Sequence, residues 1–310
     1  MSKPLSKIFR TIDEQITILR GKGLIIENND ITKDLLLREN YFFISGYRHL
    51  FMEQKDIFLE GTTFEELYAT FIFDRKLRNI FFKNILIIEN NIKSIISYQL
   101  SKKYGFREKD YLNPRNFTQD KLSERKVKDV LNKMYRQIRV NSHKHTATMH
   151  YIDNYGYIPL WILVKVLSFG IVAEFYGILK ELDKNRIAKF YDLDGQTLGR
   201  YLLLLSNFRN VCAHEDILYD HKTQRFIPDS KYHEMLNIEK VDDIYKYGKN
   251  DLFSLVIMLK DLLRKEEFEE MIEEINLEVE ILDESIDVIP LSKILNKIGF
   301  PKNWYYIKDL

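Results

Sequence analysis

Hydrophobic positions fall at three- and four-residue steps along almost the whole chain, the spacing that gathers apolar side chains onto one face of an α-helix. In TIDEQITILRGKG (11–23), Ile16 and Leu19 carry the stripe, Thr11 or Asp13 supplies an N-cap, and Gly21 and Gly23 stop the helix. DITKDLLLREN (30–40) predicts a second short helix, and the aromatic-rich ENYFFISGYRHLF (39–51) reads ambiguously, with a break at Gly46. Residues 61–105 open on a capping box, Thr63 followed three residues later by Glu66, and close on Lys102, Lys103 and Gly105, which suit a helix C-terminus. An unbroken helix there would run roughly 60 Å at 1.5 Å per residue. That is long for a globular protein, so a bend or break is expected near Asp74.

Further on, residues 119–138 predict a basic helix, 139–156 a connection and 159–181 an apolar helix. DLDGQTLGRYLLLLSNFRNVCAH (192–214) predicts a helix capped by Asp194, with Leu202, Leu205 and Val211 on one buried stripe. Residues 220–249 read as a polar linker. NDLFSLVIMLKDLLRKEEFEEMIEEI (250–275) is helical again, and the tail PLSKILNKIGFPKNWYYI (290–307) is a short helix with a stop at Gly299. An all-α fold follows. The 12 glycines and 6 prolines are too few for the tight turns of an all-β one.

The 310 residues allow one large domain or two small ones. The single Cys212 excludes an internal disulfide and a cysteine-based zinc site, and fits a reducing compartment. MSKPLSKIFRTIDEQ lacks the apolar core of a signal peptide, and Lys165 and Glu174 interrupt the longest apolar stretch, 157–179. A cytoplasmic protein without membrane contact is expected.

The net charge of +1 hides an asymmetry: residues 75–144 hold 18 Lys/Arg against 6 Asp/Glu, whereas residues 264–288 hold 11 acids against 2 bases. That pattern suits a polyanion-binding surface with an acidic face elsewhere, or simply solvated helix faces. Lys102, Lys103 and Arg107 alternate with Tyr104, Phe106, Tyr111 and Phe117, a candidate contact for an RNA backbone or a set of rings packed on the bundle. Trp161, Phe169 and Tyr176 read as core. Asp74, Arg75 and Arg78 lie three and four apart, with Glu89 further along; they suit a buried ionic network shaping a cleft, or direct RNA contact. His143, His145 and His150 have no supporting carboxylate or cysteine pattern, so no metal is expected there.

One motif carries candidate chemistry. FRNVCAHE (208–215) sets Arg209 and His214 five positions apart at the end of the strongly apolar helix. Arg136–His143 and Arg139–His145 have similar spacing, so spacing alone decides nothing. Five residues on a straight helix turn about 140° beyond one full turn, so the two side chains converge only if the helix ends near Cys212 or if a second copy faces the first. Otherwise they form a structural polar cluster. An imidazole moves protons near neutral pH, and a guanidinium matches phosphoryl oxygens. With the 2′-OH of RNA as nucleophile, that pair suffices for cleavage without metal or cofactor, leaving a 2′,3′-cyclic phosphate and a 5′-hydroxyl. Asn210 suits orientation of the phosphate or the imidazole, and Glu215 suits holding the imidazole.

The sequence also resembles the Abi-like family of abortive-infection proteins, within the HEPN superfamily. The resemblance rests on IDEQITILRGKGL, NYFFISGYRHLF, FIFDRKLRNIFFKNILIIENNIK, IPLWILVKVLSFG, FRNVCAHE and IGFPKNW, in that order. It implies a HEPN-type helical bundle with an N-terminal helical extension (1–60), a core carrying the Arg-x4-His motif (61–265) and an acidic helical C-terminal tail (266–310), the whole one cooperative domain. It implies a homodimer with two motifs in one cleft, and a metal-independent endoribonuclease of phage defence, as a toxin in some relatives restrained by a small structured RNA. Carried onto this chain, the catalytic residues are Arg209 and His214, supported by Asn210. The acidic EDILYD that follows departs from the family pattern and would repel RNA unless its acids engage Arg or His. The rival expectation is a non-catalytic module that binds a structured small RNA.

Overall fold

One helix organises the molecule. In the computed structural model, which describes residues 8–54 and 56–310, α4 (Phe64–Tyr104) runs unbroken for 41 residues, about 61 Å at 1.5 Å per residue. No bend occurs at Asp74. The segment holds neither glycine nor proline, Thr63 and Glu66 close the capping box at its start, and helices pack against it along its length. Tertiary packing, not local propensity, sustains a helix this long.

Before it come α1 (Ile12–Gly21), whose cap is Thr11 rather than Asp13, α2 (Asn29–Glu39), α3 (Tyr41–Ser45) and a hairpin of β1 (Met52–Gln54) and β2 (Ile57–Phe58). After it come α5 (Glu108–Tyr111), α6 (Glu124–Asn141), α7 (Thr146–Tyr155), α8 (Leu160–Val166), α9 (Phe169–Gly177) and α10 (Glu181–Ala188). Then follow α11 (Gly195–Ala213), α12 (Lys231–Met235), a second hairpin of β3 (Lys240–Val241) and β4 (Ile244–Tyr245), α13 (Leu252–Leu262), α14 (Lys265–Asp283) and α15 (Leu291–Ile298). The fold is all-α, with both hairpins small. Among the described residues no helix is long and apolar enough to cross a membrane.

Four expectations need correction. The apolar run 159–181 is two helices: Leu167 is extended and the Ser168 side chain caps α9 by accepting from Ile171 N–H. The 139–156 connection contains α7, which buries only Thr148 and so carries little apolar signal. Residues 220–249 are no linker: Ile227, Tyr232, Leu236, Ile238 and Tyr245 are buried there, and His233 is fully enclosed. Burial pushes that imidazole down; Nδ1 lies 3.0 Å from Ser230 N and Nε2 lies 2.9 Å from Gly248 O. Finally, residues 250–275 break at Leu263–Arg264 into α13 and α14.

The acidic segment lies against the basic one. α14 packs along α4, and Lys76 meets Glu278 at 3.5 Å while Lys83 meets Glu274 at 2.6 Å and Glu270 at 3.3 Å. Part of the charge asymmetry is therefore neutralised within the fold. Glu66 binds both ends together, accepting from Asp287 and Val288 N–H.

Candidate active site

α11 owes its start to Asp194, whose carboxylate accepts from Gln196 and Thr197 N–H, and its seating to buried Leu198, Leu202, Leu205, Phe208 and Val211. Each such Leu or Phe contributes about 1.5–3 kcal/mol, so the polar residues on its last turns sit on a fixed rod. The helix ends at Ala213, one residue past Cys212, and His214, its C-cap, donates its backbone N–H to Asn210 O. It ends in a Schellman turn: Asp216 N–H bonds Val211 O, with Glu215 in the left-handed region at φ 55°. A glutamate there stores backbone strain of roughly 1–3 kcal/mol beside His214.

Arg209 lies in the last turns of α11 and His214 at its C-cap; on a straight helix the two positions would stand about 140° apart. His214 shares a face with Asn207 and Asn210, and all three are exposed. Arg209 turns toward α4, its guanidinium 5.5 Å from the Phe82 ring and its Nε 3.6 Å from Glu89 Oε2. That separation is too long for a hydrogen bond, and neither atom has another partner. Glu89 itself is buried, and its other oxygen holds Lys93 at 2.6 Å.

The chain beyond His214 is pinned to α4. Asp74, fully buried, accepts from Tyr47 Oη at 2.6 Å, from Leu218 N–H at 3.1 Å and from the Arg78 guanidinium. Arg78 also donates to Asp216 O at 3.3 Å. Burial pushes the Asp74 carboxyl up, while Arg78, Tyr47 and the Leu218 amide pull it back. Tyr219 stacks 5.1 Å from Tyr47 and reaches Gly46 O. Gly46 follows α3 so closely that a Cβ there would lie 2.5 Å from Ile217. Thus α3, α4 and the turn after α11 form one unit, and Asp74 and Arg78 belong to its frame. Arg75, on the neighbouring flank, forks onto Glu39 (2.9 and 2.5 Å) and reaches Glu215 at 3.9 Å. Glu215 therefore leans to an arginine, and no hydrogen bond joins it to His214 among the described residues. The Cys212 thiol is buried, which pushes it up to about 12 and removes it as a nucleophile at neutral pH.

The predicted RNA-contact residues stand elsewhere. Lys103 pairs with Asp183 at 2.5 Å, Lys102 lies over Tyr98, and Arg107 lies over Phe106 and Tyr157. Of the interleaved rings, Tyr111 and Phe117 are core, and Tyr104 donates to Asp183. Only Phe106 is open. Trp161 was expected in the core beside Phe169 and Tyr176; they are buried, but it is 44% exposed. No cluster of three His, Cys, Asp or Glu able to hold a metal occurs among the described residues.

Sequence reasoning missed two residues. Tyr47 completes the Asp74–Arg78 network from 27 positions away. His221 lies on the Phe208 ring with Nε2 2.7 Å from Asn207 Oδ1, and burial pushes it down. No periodic signal marks either. A cavity of about 460 Å³ between the loop after α5 and α6 is lined by Asp120, Lys121, Glu124, Lys128 and Tyr135. Neither Arg209 nor His214 lines it or the other main cavities; in a single copy they lie on open surface.

A family model described as Abi-like protein matches residues 34–220, more than half of the chain. The match spans α2 to the turn after α11, and so covers Asp74, Glu89, Arg209 and His214; the opening and closing segments of the resemblance lie outside it. No curated protein and no solved structure matches the chain.

Proposed function

The chain belongs to the Abi-like protein family, and on that premise we propose that it is a metal-independent HEPN endoribonuclease of phage defence, built as a homodimer and acting as a toxin that a small structured RNA can restrain. The observation that carries the reading is the end of α11. A guanidinium whose Nε is unsatisfied and an exposed imidazole stand on a rigid helix, with the chain just beyond them locked to α4 by Asp74 and Arg78.

In this reaction the His214 imidazole takes the proton from the ribose 2′-OH, and the freed oxygen attacks the adjacent phosphorus. Arg209 donates to the phosphoryl oxygens as negative charge builds on them. The bond to the 5′-oxygen breaks, and that oxygen takes a proton from the same imidazole of the second copy, leaving a 2′,3′-cyclic phosphate and a 5′-hydroxyl. Asn210, on the face of His214, orients the phosphate. A shared cleft suits these positions: two copies facing each other supply both groups to one phosphate from opposite sides. Phe42 and Phe43, exposed on α3 beside the Gly46–Ile217 contact, offer apolar surface for that docking.

The test is labelled RNA incubated with the protein in EDTA. Wild type is expected to cut RNA and leave the matching DNA intact, with His214→Ala inactive. Tight RNA binding with no cleavage by either protein would replace the nuclease with a non-catalytic RNA-binding module.

A further inference from the structure

A row of rings, from half-buried to exposed, lies at the C-terminal end of α4, beyond the stretch that meets the Arg–His motif. Trp161, Phe106, Tyr157, Tyr155 and Tyr151 follow one another at centroid separations of 6.2, 5.6, 6.3 and 5.3 Å, and His150 closes the row against Tyr151 and Tyr155. Phe106 is 41% exposed and Tyr155 56%. These rings come from three places: the turn after α4, the end of α7 and the start of α8. The core does not need them, because Tyr111 and Ile158 directly beneath are fully buried. The backbone under the row is fixed, with Tyr111 Oη donating to Ile158 O at 2.7 Å and Glu108 accepting from Ile158 N–H. An exposed aromatic row on a rigid base has no structural duty that the fold reveals.

Its cations point to the occupant. Arg107 lies 5.4 Å from the Tyr157 ring and 5.9 Å from Phe106. Lys165 is exposed one turn beyond Trp161 on α8. Neither forms an ion pair among the described residues. The nearby acids are largely committed or outnumbered: Glu108 caps Ile158, leaving Asp153 exposed on α7. Flat faces alternating with unpaired cations match a single strand, whose bases stack and whose phosphates need positive charge. A protein partner would have no use for cations placed over ring faces that remain open.

We propose that this row is a stacking platform for single-stranded nucleic acid, a holding site separate from the cleavage motif. It rests on the reading that the chain acts on RNA. Arg209 meets α4 at Glu89, fifteen residues before Tyr104 and roughly 22 Å away at 1.5 Å per residue, so the platform stands apart from the phosphate that is cut.

Trp161 reports directly, because the chain's other tryptophan, Trp304, is buried. Full-length His214→Ala protein is titrated with an unstructured oligouridylate and with oligothymidylate of the same length, under selective tryptophan excitation. Both strands are expected to quench Trp161, the Trp161→Phe variant to lose the signal, and Arg107→Gln and Tyr157→Leu each to weaken binding about tenfold. Arg107 is exposed, so its variant retains the wild-type melting temperature and keeps the test valid if Tyr157→Leu unfolds. Absence of quenching by either strand, or unchanged affinity in Arg107→Gln, overturns the platform. So does a change in self-association, rather than in strand binding, on altering Arg107. The thymidylate has no 2′-OH, so its binding reads the platform alone: quenching of the variant together with no RNA cleavage by wild type removes the nuclease and keeps the platform, and cleavage by wild type without quenching does the reverse.

Discussion

Two arginines face carboxylates on α4, and they differ in every respect that matters to function. Arg78 is 3% exposed against a fully buried Asp74, and that carboxylate also receives a tyrosine hydroxyl and a backbone amide. Arg209 is 31% exposed against Glu89, at 3.6 Å, with no hydrogen bond closing the pair. The first arrangement is enclosed: one Asp74 oxygen accepts from all three donors, the other has no partner among the described residues, and the pair is shut away from solvent. The second leaves guanidinium donors unspent on a surface beside an exposed imidazole. The enclosed pair fixes the turn that follows the open one, so α4 holds the structure while the end of α11 carries the candidate chemistry.

Removing one partner of each pair separates the roles. Asp74→Ala strands a buried guanidinium and should cost about 3–5 kcal/mol in urea unfolding; a loss below about 1 kcal/mol would mean that the network does not brace the fold. Arg209→Ala should leave the unfolding midpoint nearly unchanged, within about 1 kcal/mol, while RNA cleavage falls roughly 10²–10³-fold. Retained cleavage would return Arg209 to a structural role.

A third carboxylate sharpens the contrast by having no cation hydrogen-bonded to it. Asp251 caps α13 and accepts from Gly248 and Ser254 N–H, and burial pushes its carboxyl up to about 7 from an ordinary 3.8. Its folded form holds the proton more tightly than the unfolded chain. Its contribution is therefore full below about pH 4 and declines as pH rises toward 7, by up to ~1.4 kcal/mol per unit. Measured by urea unfolding, the stability of wild type relative to Asp251→Asn should fall across that window; a pH-independent difference would show that Asp251 is ordinary. The smallest effect is expected at the strained turn. Glu215→Gly relieves the left-handed residue and should stabilise the fold by about 1 kcal/mol, less whatever the 3.9 Å contact with Arg75 contributes. A destabilised variant would make that contact the stronger term.

Much of the helical frame was legible in the sequence because its signals are local. The Thr63–Glu66 box and the Asp194 cap lie within a turn of the helices they begin, and the α11 stripe repeats within its own segment. What stayed hidden is long-range or weakly periodic. Tyr47 meets Asp74, and Glu89 meets Arg209 from a helix 120 positions earlier, with nothing in spacing to announce either. The break at Ser168 sits inside an unbroken apolar run, where continuous hydrophobicity masks a cap. Residues 220–249 look polar because their buried residues are scattered among turns. Trp161 was assigned to the core by its apolar neighbours, although its own side of α8 is open. For the motif itself, sequence supplied the residues, and the structure places the helix end at Ala213, between Arg209 and His214.

The central claim is that Arg209 of one copy and His214 of another serve one phosphodiester. Mixing Arg209→Ala and His214→Ala proteins, each inactive alone, under conditions that exchange copies tests it directly. The account predicts that part of the RNA cleavage returns in the mixture, because a mixed pair restores one guanidinium and one imidazole to the shared cleft, with water taking the place of the second imidazole as the acid. A mixture that remains inactive while mixed pairs are demonstrably present would contradict it.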